Sequence, residues 1–245
     1  MLAIIGGSGL SRPDFLTNAQ EQRLPTPYGD HPVPVFAGQL AGEPVLFIAR
    51  HGAGHTIPPH RINYRANLWA LKQAGATAVV AQATVGGIVG VQPGDLALPD
   101  QLIDYTWGRA QTFFDGGKLP VRHVDFTHPY DPALRQGLLK AATQAGIEIK
   151  DGGVYAATQG PRLETAAEVR RLKNDGATVV GMTGMPEAAL ARELDLPYAS
   201  LVVVVNDAAG TGDSHQRVTL SEAHELQAEG VRKVQTVLAQ LASRT

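Results

Sequence analysis

The run Ala199-Ser-Leu-Val-Val-Val-Val205 is the stretch that decides the fold of this chain of 245 residues. Four successive valines leave neither face of a strand polar, and strands buried on both faces are typical of sheets covered by helices on each side. Outward from this run, short apolar segments alternate with amphipathic ones along the whole chain. The alternation predicts an α/β fold, a single-domain three-layer α/β/α sandwich with a central mixed sheet that spans residues 1–245.

Apolar runs and helical periodicity predict the individual elements. Strands are expected at Leu2–Ile5, Pro44–Ala49, Ala78–Gln82, Leu96–Ile103, Val154–Thr158, Val179–Gly181 and Ala199–Val205. Helices are expected at Asn63–Ala74, Pro132–Ala145, Thr165–Asp175 and Pro186–Leu194, with a last helix that has capping-box spacing at Thr219 and Glu222 and an apolar stripe of Val231, Val234, Leu238 and Leu241. Two longer stretches that contain several glycines, Thr106–Pro120 and Asp207–Arg217, are predicted to be surface loops.

Composition excludes several classes of protein. The chain is 44% hydrophobic and 18% charged, so it can bury a core. Its net charge of −2 gives no basic field for nucleic acid or an anionic membrane, and no apolar run approaches the ~20 residues of a membrane span. The absence of cysteine excludes disulfides, thiolate metal sites and a cysteine nucleophile. A cytoplasmic protein is expected, since the N-terminus lacks the basic region of a signal peptide.

Polar residues follow several of the predicted strands, and α/β folds bind ligands at these strand ends. Gly6-Gly-Ser-Gly9 is either a tight turn or an anion site in which Ser8 adds a hydroxyl donor. Arg50, at the end of another strand, can fork onto an oxyanion. Thr84 and Thr183 supply hydroxyl groups at further strand ends. One arginine among neutral donors predicts a site for a small dianion.

Two other interpretations of these strand ends are weaker. A dinucleotide site requires G-x-G-x-x-G entering a helix, and Leu10-Ser-Arg-Pro-Asp14 follows the first glycines instead. A metal site could use His51, His55 and His60, but the intervening Gly and Pro residues exclude the single helix that this spacing would need, and no carboxylate lies nearby in sequence. A non-catalytic nucleotide-binding module remains the alternative from another functional class.

Two further loops mix polar groups with Gly and Pro and are predicted to line one small-molecule pocket. Thr158–Thr165 has a non-helical turn at Gly160-Pro161 and a carboxylate, Glu164, near the start of a helix. Met182-Thr-Gly-Met-Pro-Glu187 lies at the entry of the next helix. Asn206-Asp207 closes the valine-rich strand and is either a turn former or a recognition pair.

Together these motifs resemble the purine nucleoside phosphorylase and methylthioadenosine phosphorylase family, in its trimeric branch. The resemblance covers nearly the whole chain, in order and at family-like spacing. It is carried by Gly6–Gly9, Arg50-His51, Asn63–Lys72, Gly160–Thr165, Met182–Glu187 and the strand that ends at Asn206. It implies phosphorolysis, in which inorganic phosphate attacks C1′ of a purine nucleoside, with no cofactor, no metal and no covalent nucleophile.

The resemblance also implies roles for individual residues. The implied phosphate site consists of Ser8, Arg50, His51, the backbone of Ala83, Thr84 and Thr183. Met182 is implied to pack under the ribose, and Asn206 and Glu164 to bind the base and carry catalysis. His123 matches a histidine that the methylthioadenosine branch lends to a neighbouring subunit, which implies a homotrimer.

Hydrogen-bond arithmetic then predicts the base. The resemblance implies an Asp-x-Asp pattern in the adenine-specific branch of the family, at the positions where this chain has Asn206, Asp207 and Ala208. An amide at position 206 can donate to O6 of a 6-oxopurine, and Glu164 can accept from its N1–H, which adenine lacks. If the strand stays extended, the side chain of Asp207 points away from those of its two neighbours and does not contact the base.

The 5′ side of the sugar decides the rest of the substrate. Val218 aligns with a position where nucleoside phosphorylases often use a histidine for the 5′-hydroxyl, although His215 is close. An apolar side chain favours a methylthio group, because an unpaired buried hydroxyl is costly. The expected substrate is therefore S-methyl-5′-thioinosine, used in purine salvage. The alternatives are methylthioadenosine, or inosine and guanosine.

Overall fold

A computed structural model of the chain describes residues 1–116, 119–212 and 220–243. Its strands are β1 (Leu2–Gly6), β2 (Thr17–Leu24), β3 (Val33–Leu40), β4 (Glu43–Ala49), β5 (Ala78–Gly87), β6 (Leu96–Leu98), β7 (Gln101–Asp104), β8 (Lys150–Asp151), β9 (Val154–Ala157), β10 (Val179–Gly181) and β11 (Tyr198–Asp207). Its α-helices are α1 (Tyr64–Gln73), α2 (Pro132–Gln144), α3 (Ala166–Asn174), α4 (Gly184–Glu193) and α5 (Leu220–Ala242). Within the described ranges, no helix is both long enough and apolar enough to cross a membrane.

The strands of the described residues join in one mixed sheet of 11 strands. Its continuous path runs β2-β3-β4-β1-β5-β10-β9-β7, and β11 extends it on another path to β6 and β8. Strand β5 is the centre, because it pairs in parallel with both β1 and β11 and, at its carboxyl end, antiparallel with β10. Because β1, β10 and β11 all pair with β5, the segments that follow these strands lie close together.

The two faces of the sheet carry separate hydrophobic cores. Along β11, Val202 and Val204 pack into the core under α1 and α4, whereas Leu201 and Val203 pack into the core under α2 and α5. All four side chains are fully buried. The valine-rich run is therefore covered on both sides, and the predicted three-layer α/β/α sandwich with a mixed sheet is confirmed.

The helices begin where the sequence supplies capping groups. Asn63 caps α1 by accepting from the backbone of Ala66, at 3.0 Å. Thr165 and Glu168 form a reciprocal capping box at the start of α3, which satisfies two backbone donors that would otherwise lack partners. Each helix lies within a few residues of its predicted range. The apolar stripe predicted for the last helix is buried, at Val231, Val234, Leu238 and Leu241.

The structure corrects several predicted elements. Strand β5 continues through Gly87 rather than ending at Gln82, because its pairing with β11 persists beyond the end of β1. The strand expected over Leu96–Ile103 is divided at Pro99-Asp100 into β6 and β7, which pair with different neighbours. Strands β2, β3 and β8 were not predicted. Seven of the eight residues of β2 are exposed, so this edge strand has no apolar pattern to reveal it.

The stretch 106–120 is not simply a surface loop, as its composition suggested. The side chain of Phe113 is buried in the core beside Trp69 and Tyr28. The predicted loop 207–217 begins within β11, since Asp207 is the last residue of that strand. Its later part lies outside the described residues, as do Thr219 and the side chain of Glu222, on which the predicted capping box depends.

Candidate active site

A cavity of about 640 Å³ opens where β5 and β11 project beyond the end of β1. Most of the residues singled out from the sequence lie on its wall. These are Ser8, Arg50, His51, Ala83, Thr84, Glu164, Met182, Thr183, Asn206 and Ala208. Segments far apart in sequence therefore meet at one site, as the strand-end argument predicted.

The glycine turn after β1 closes one end of the cavity. A backbone hydrogen bond from Leu10 to Gly7 closes the turn, and the N–H of Gly7 donates to the side chain of Gln82 at 3.0 Å. A Cβ atom at position 7 would lie 2.6 Å from the carbonyl oxygen of Gln82 and 2.8 Å from Nη1 of Arg50, so only glycine fits. The segment is thus a tight turn that also brings Ser8 to the cavity wall beside Arg50.

Arg50 is buried and already holds a carboxylate. Its Nε and Nη2 donate to the two oxygens of Glu187 at 2.7 and 2.9 Å, and Nη1 donates to the carbonyl of Gln82 at 3.0 Å. Tyr198 donates its hydroxyl to the same carboxylate at 2.8 Å. Burial would lower the pKa of Arg50, but the adjacent Glu187 carboxylate outweighs it and raises that pKa above its ordinary value. The guanidinium is therefore charged at any physiological pH.

The guanidinium of Arg50, which we expected to bind an oxyanion, thus already donates some of its N–H groups to acceptors within the protein. A guanidinium has five N–H donors, and three of those of Arg50 are engaged by Glu187 and Gln82. One N–H remains on each terminal nitrogen. Because Arg50 lies on the cavity wall, this edge of the guanidinium is what it can offer to an anion.

His51 is a neutral side chain beside that cation. Its Nδ1 lies 2.8 Å from the carbonyl oxygen of Ile57, which can only accept, so Nδ1 carries the proton. Burial and the positive charge of Arg50 lower the pKa of His51 to about 4. Its Nε2 is then an acceptor at neutral pH, available to a hydroxyl or N–H donor of a ligand.

The opposite end of the cavity carries amide and carboxylate groups. Asn206 is half-buried and donates one N–H to the carbonyl of Asp207 at 2.6 Å, which leaves its second N–H and its Oδ1 for a ligand. Glu164 is half-buried and accepts from the hydroxyl of Thr158 at 2.6 Å. Gly160 lies against Met182, since a Cβ at position 160 would be 2.4 Å from the sulfur of Met182.

The two ends are separated along β5 and β11. The first end lies near Ala83, which pairs with Val202, and the second lies near Gly86, which pairs with Asn206. Three residues of strand span about 10 Å. The cavity is therefore long enough for an anion at one end and a planar heterocycle at the other.

Two of the predicted residues are not on the wall. Asp207 does not line the cavity, and its carboxylate lies where a Cβ of Gly212 would be. His123 is exposed and lies off the cavity of its own chain. Val218 and His215 lie outside the described residues.

Sequence reasoning missed several residues that build this site. Glu187 belongs to one of the motifs but was assigned no role, although a carboxylate in an otherwise apolar helix start is a signal that it meets a buried cation. Gln82 and Tyr198 carried no such signal. Ala223, His224 and Gln227 of α5 line the cavity next to the part of the chain that is not described.

The histidines near Arg50 do not form a metal centre. The rings of His51 and His55 lie 4.5 Å apart, but His60 does not line the cavity with them. Among the described residues, no group of three or more His, Asp or Glu side chains converges in a way that could hold a metal ion. The arrangement instead combines one buried cation, hydroxyl groups and backbone donors.

Comparisons with known proteins find similar sequences over nearly the whole chain. The family model described as the phosphorylase superfamily matches residues 1–243. A probable S-methyl-5′-thioinosine phosphorylase of Xanthomonas campestris pv. campestris is 54% identical over 90% of this chain and 88% of its own length. The 6-oxopurine nucleoside phosphorylase of Pyrococcus furiosus is 47% identical over 92% of this chain and 85% of its own length.

Solved structures show the same fold. Methylthioadenosine phosphorylase from Schistosoma mansoni in complex with adenine superposes with a TM-score of 0.93 at 30% identity, over 99% of this chain and 91% of the other. The similarity therefore extends over the whole sheet and its flanking helices.

Proposed function

Since the chain belongs to the phosphorylase superfamily, we propose that it catalyses the phosphorolysis of S-methyl-5′-thioinosine to hypoxanthine and 5-methylthioribose 1-phosphate, in purine salvage. The observation that carries the proposal is a single cavity with Arg50 and hydroxyl groups at one end and Asn206 with Glu164 at the other. Inorganic phosphate is the co-substrate, and the reaction uses no metal or organic cofactor.

Phosphate binds at the end formed by Ser8, Arg50, His51, Thr84 and Thr183. The two remaining N–H groups of Arg50 take one phosphate oxygen each, and the hydroxyl groups and nearby backbone N–H groups take the others. Neutral His51 accepts from the phosphate hydroxyl. The dianion then lies below C1′ of the sugar, and Met182 packs under the ribose.

The reaction exchanges one bond to C1′ for another. A phosphate oxygen forms a bond to C1′ as the bond from C1′ to N9 of the purine breaks, and the electron pair of that bond goes to the base. The sugar passes through an oxocarbenium-like transition state that the phosphate dianion stabilises. Asn206 stabilises the negative charge that develops on the base.

Two groups select a 6-oxopurine. The free N–H of Asn206 can donate to O6, and the carboxylate of Glu164, held by Thr158, can accept from N1–H. Adenine has an amino group at C6 and no proton on N1. Its amino group would therefore meet the N–H donor of Asn206, and the carboxylate of Glu164 would lack a donor. Asp207, directed towards Gly212, takes no part in base binding.

The 5′-methylthio group is the finer part of the proposal. It rests on Val218 and on the names of the Xanthomonas and related proteins. Ala223 adds an apolar surface to the cavity wall, whereas His224 adds a polar one. Inosine and guanosine are therefore the second candidate substrates, which the similarity to a 6-oxopurine nucleoside phosphorylase also favours.

Turnover of four nucleosides tests the proposal: inosine, adenosine and their 5′-methylthio derivatives, each with and without phosphate. We expect phosphate-dependent release of hypoxanthine from methylthioinosine with the highest kcat/KM. Dominant release of adenine would refute the roles given to Asn206 and Glu164. Dominant turnover of inosine would refute only the 5′ assignment. Nucleotide binding without any turnover would favour a non-catalytic module.

The enzyme is proposed to act as a homotrimer in which His123 serves a neighbouring site. Exposed large apolar side chains include Val121, two residues before His123, Leu163, in the loop of Glu164, and Trp107. Co-expression of R50A and H123A chains tests this arrangement. Each variant alone is expected to be inactive, whereas mixed oligomers regain sites that combine an intact Arg50 with an intact His123 from the neighbour. No recovery in mixed oligomers would refute the shared site.

A further inference from the structure

Arg109 lies in the segment after β7 and contacts both loops that form the nucleoside end of the cavity. Its Nη1 donates to the carbonyl oxygens of Met182, at 2.9 Å, and Met185, at 2.5 Å. Its Nη2 donates to the carbonyls of Gln159, at 2.9 Å, and Thr158, at 3.3 Å. Arg109 itself does not line the cavity.

Two of these contacts involve residues that hold or form the proposed nucleoside site, Thr158 and Met182. The hydroxyl of Thr158 holds Glu164 at 2.6 Å. Met182 is itself on the cavity wall. The loop of Glu164 and the loop of Met182 thus share one guanidinium as their common hydrogen-bond donor.

The chemistry of the contacts requires an arginine. The acceptors are backbone carbonyls, the side-chain oxygen of Gln159 at 3.2 Å from Nε, and the hydroxyl of Tyr64 at 3.2 Å from Nη1. The guanidinium also lies over the ring of Tyr64, 5.5 Å from its centre. A planar group with five N–H donors can reach all six acceptors, with the two N–H groups of Nη1 shared among three of them, whereas the three donors of a lysine ammonium lack the required spread.

Charge neutralisation does not explain this arrangement. Among the ion pairs between residues that the structure describes, none includes Arg109. The carbonyls of Thr158, Gln159 and Met182 lie outside regular secondary structure, and Met185 is the kinked residue of α4, with non-helical φ and ψ angles. The contacts of Arg109 therefore add to the backbone hydrogen bond from Thr158 to Gly181, at 2.8 Å, in holding the two loops together.

The same segment has a second anchor, distant from these loops. Thr112 and the backbone N–H of Phe113 donate to the carboxylate of Glu193, at 2.6 and 2.7 Å. Glu193 lies at the end of α4, whereas Arg109 contacts its start. Substitution of Glu193 weakens the second anchor of the segment that carries Arg109 but leaves the Arg109 guanidinium in place. It therefore provides a matched control.

We propose that Arg109 is a positioning residue for the nucleoside: it sets the separation between Glu164, which binds the base, and Met182, which packs under the sugar. This inference rests on the proposed function and adds a residue to it. Arg50, the cation of the proposed phosphate end, is held by other contacts, with Glu187 and Gln82, and of that end only Thr183 lies between carbonyls that Arg109 contacts. Loss of Arg109 is therefore expected to affect the nucleoside far more than phosphate.

The test compares R109A, R109K and E193Q with the wild-type enzyme. A misplacement of about 1 Å at a reacting group costs on the order of 10²-fold in rate. We expect kcat/KM for the nucleoside to fall by about this factor in both Arg109 variants, with the KM for phosphate changed less than about threefold. In E193Q both quantities should stay close to those of the wild type.

Chemical rescue separates positioning from general loss of structure. Guanidinium chloride at millimolar concentration is expected to restore part of the nucleoside kcat/KM of R109A, whereas the same concentration of sodium chloride should not. Wild-type kinetics in R109K, equal losses for nucleoside and phosphate, or the absence of rescue in folded R109A would each overturn the inference. If R109A does not fold, R109K alone decides it through the ratio of the two losses.

Binding of hypoxanthine distinguishes failure of this inference from failure of the proposed function. If the wild-type protein turns over no nucleoside, the proposed function is wrong. The dissociation constant for hypoxanthine, measured by calorimetry, then tests Arg109 alone. Equal constants for wild type and R109K would overturn the positioning role.

Discussion

Replacement of Glu187 by glutamine gives the sharpest test of how the end of the cavity proposed to bind phosphate is built. The carboxylate is fully buried, accepts two hydrogen bonds from an equally buried Arg50 and takes a third from Tyr198. An amide of the same shape turns one acceptor into a donor that faces a donor of Arg50. Removing one partner of a buried ion pair costs about 3–5 kcal/mol, because the remaining charge has neither water nor a partner.

The effect of E187Q should appear as a shift of the urea unfolding midpoint. With a slope of about 3 kcal/mol per M, the loss corresponds to a shift of about 1–1.7 M. Y198F removes one hydrogen bond to a charged group and should cost less, about 1.5–3 kcal/mol. All variants must be compared at one protein concentration, since an oligomer gains stability by mass action.

An exposed ion pair provides the control for E187Q. Glu229 contacts Lys233 at 2.7 Å on the surface of α5, and E229Q should leave the midpoint unchanged. Phosphate should recover part of the stability lost in E187Q, because the dianion provides the unpaired guanidinium with a new partner. A midpoint for E187Q within error of the wild type would refute the argument that this pair is a buried, mutually dependent unit.

Three further predictions concern single side chains. N206D should raise the kcat/KM of methylthioadenosine relative to methylthioinosine at least roughly tenfold, because a carboxylate accepts from a 6-amino group and repels O6; an unchanged ratio would remove Asn206 from base selection. The free energy of unfolding should fall as the pH drops from 6.5 towards 4, since the lowered pKa of His51 lets the unfolded chain bind a proton that the folded chain does not. H51N should flatten this part of the profile, and an identical slope would contradict it. G181A should lower stability by about 1–3 kcal/mol, because its Cβ would lie 2.2 Å from the hydroxyl of buried Tyr155, whereas G54A, with 3.4 Å to its nearest neighbour, should have little effect.

The strand-end residues illustrate how far local sequence patterns lead. Ser8, Arg50, Thr84 and Asn206 each follow or end an apolar run, and parallel strands bring their carboxyl ends to one edge of a sheet. Their meeting on one cavity wall was therefore expected. The donor and acceptor types of Asn206 and Glu164 were also enough to predict the class of base, because hydrogen-bond polarity belongs to the residue and not to the fold.

Other parts of the site could not be derived in this way. The partner of Arg50 is 137 residues away in the chain, and no local pattern identifies which carboxylate a buried arginine will meet. Arg109 was predicted to lie in a surface loop, yet its guanidinium joins two loops 50 and 73 residues further on. Glycine- and proline-rich composition indicates irregular backbone, but it does not reveal whether that backbone is solvated or packed.

The sequence by itself determined the α/β class, the faces of the buried strands and the chemical types gathered at the site, because periodicity, capping and hydrogen-bond polarity are local properties. Only the tertiary structure decided which edge of Arg50 is left for an anion, why His51 is neutral and which residue holds the two nucleoside loops together. Those features depend on distances between segments that are remote in the chain, and burial then sets the strength of each charge.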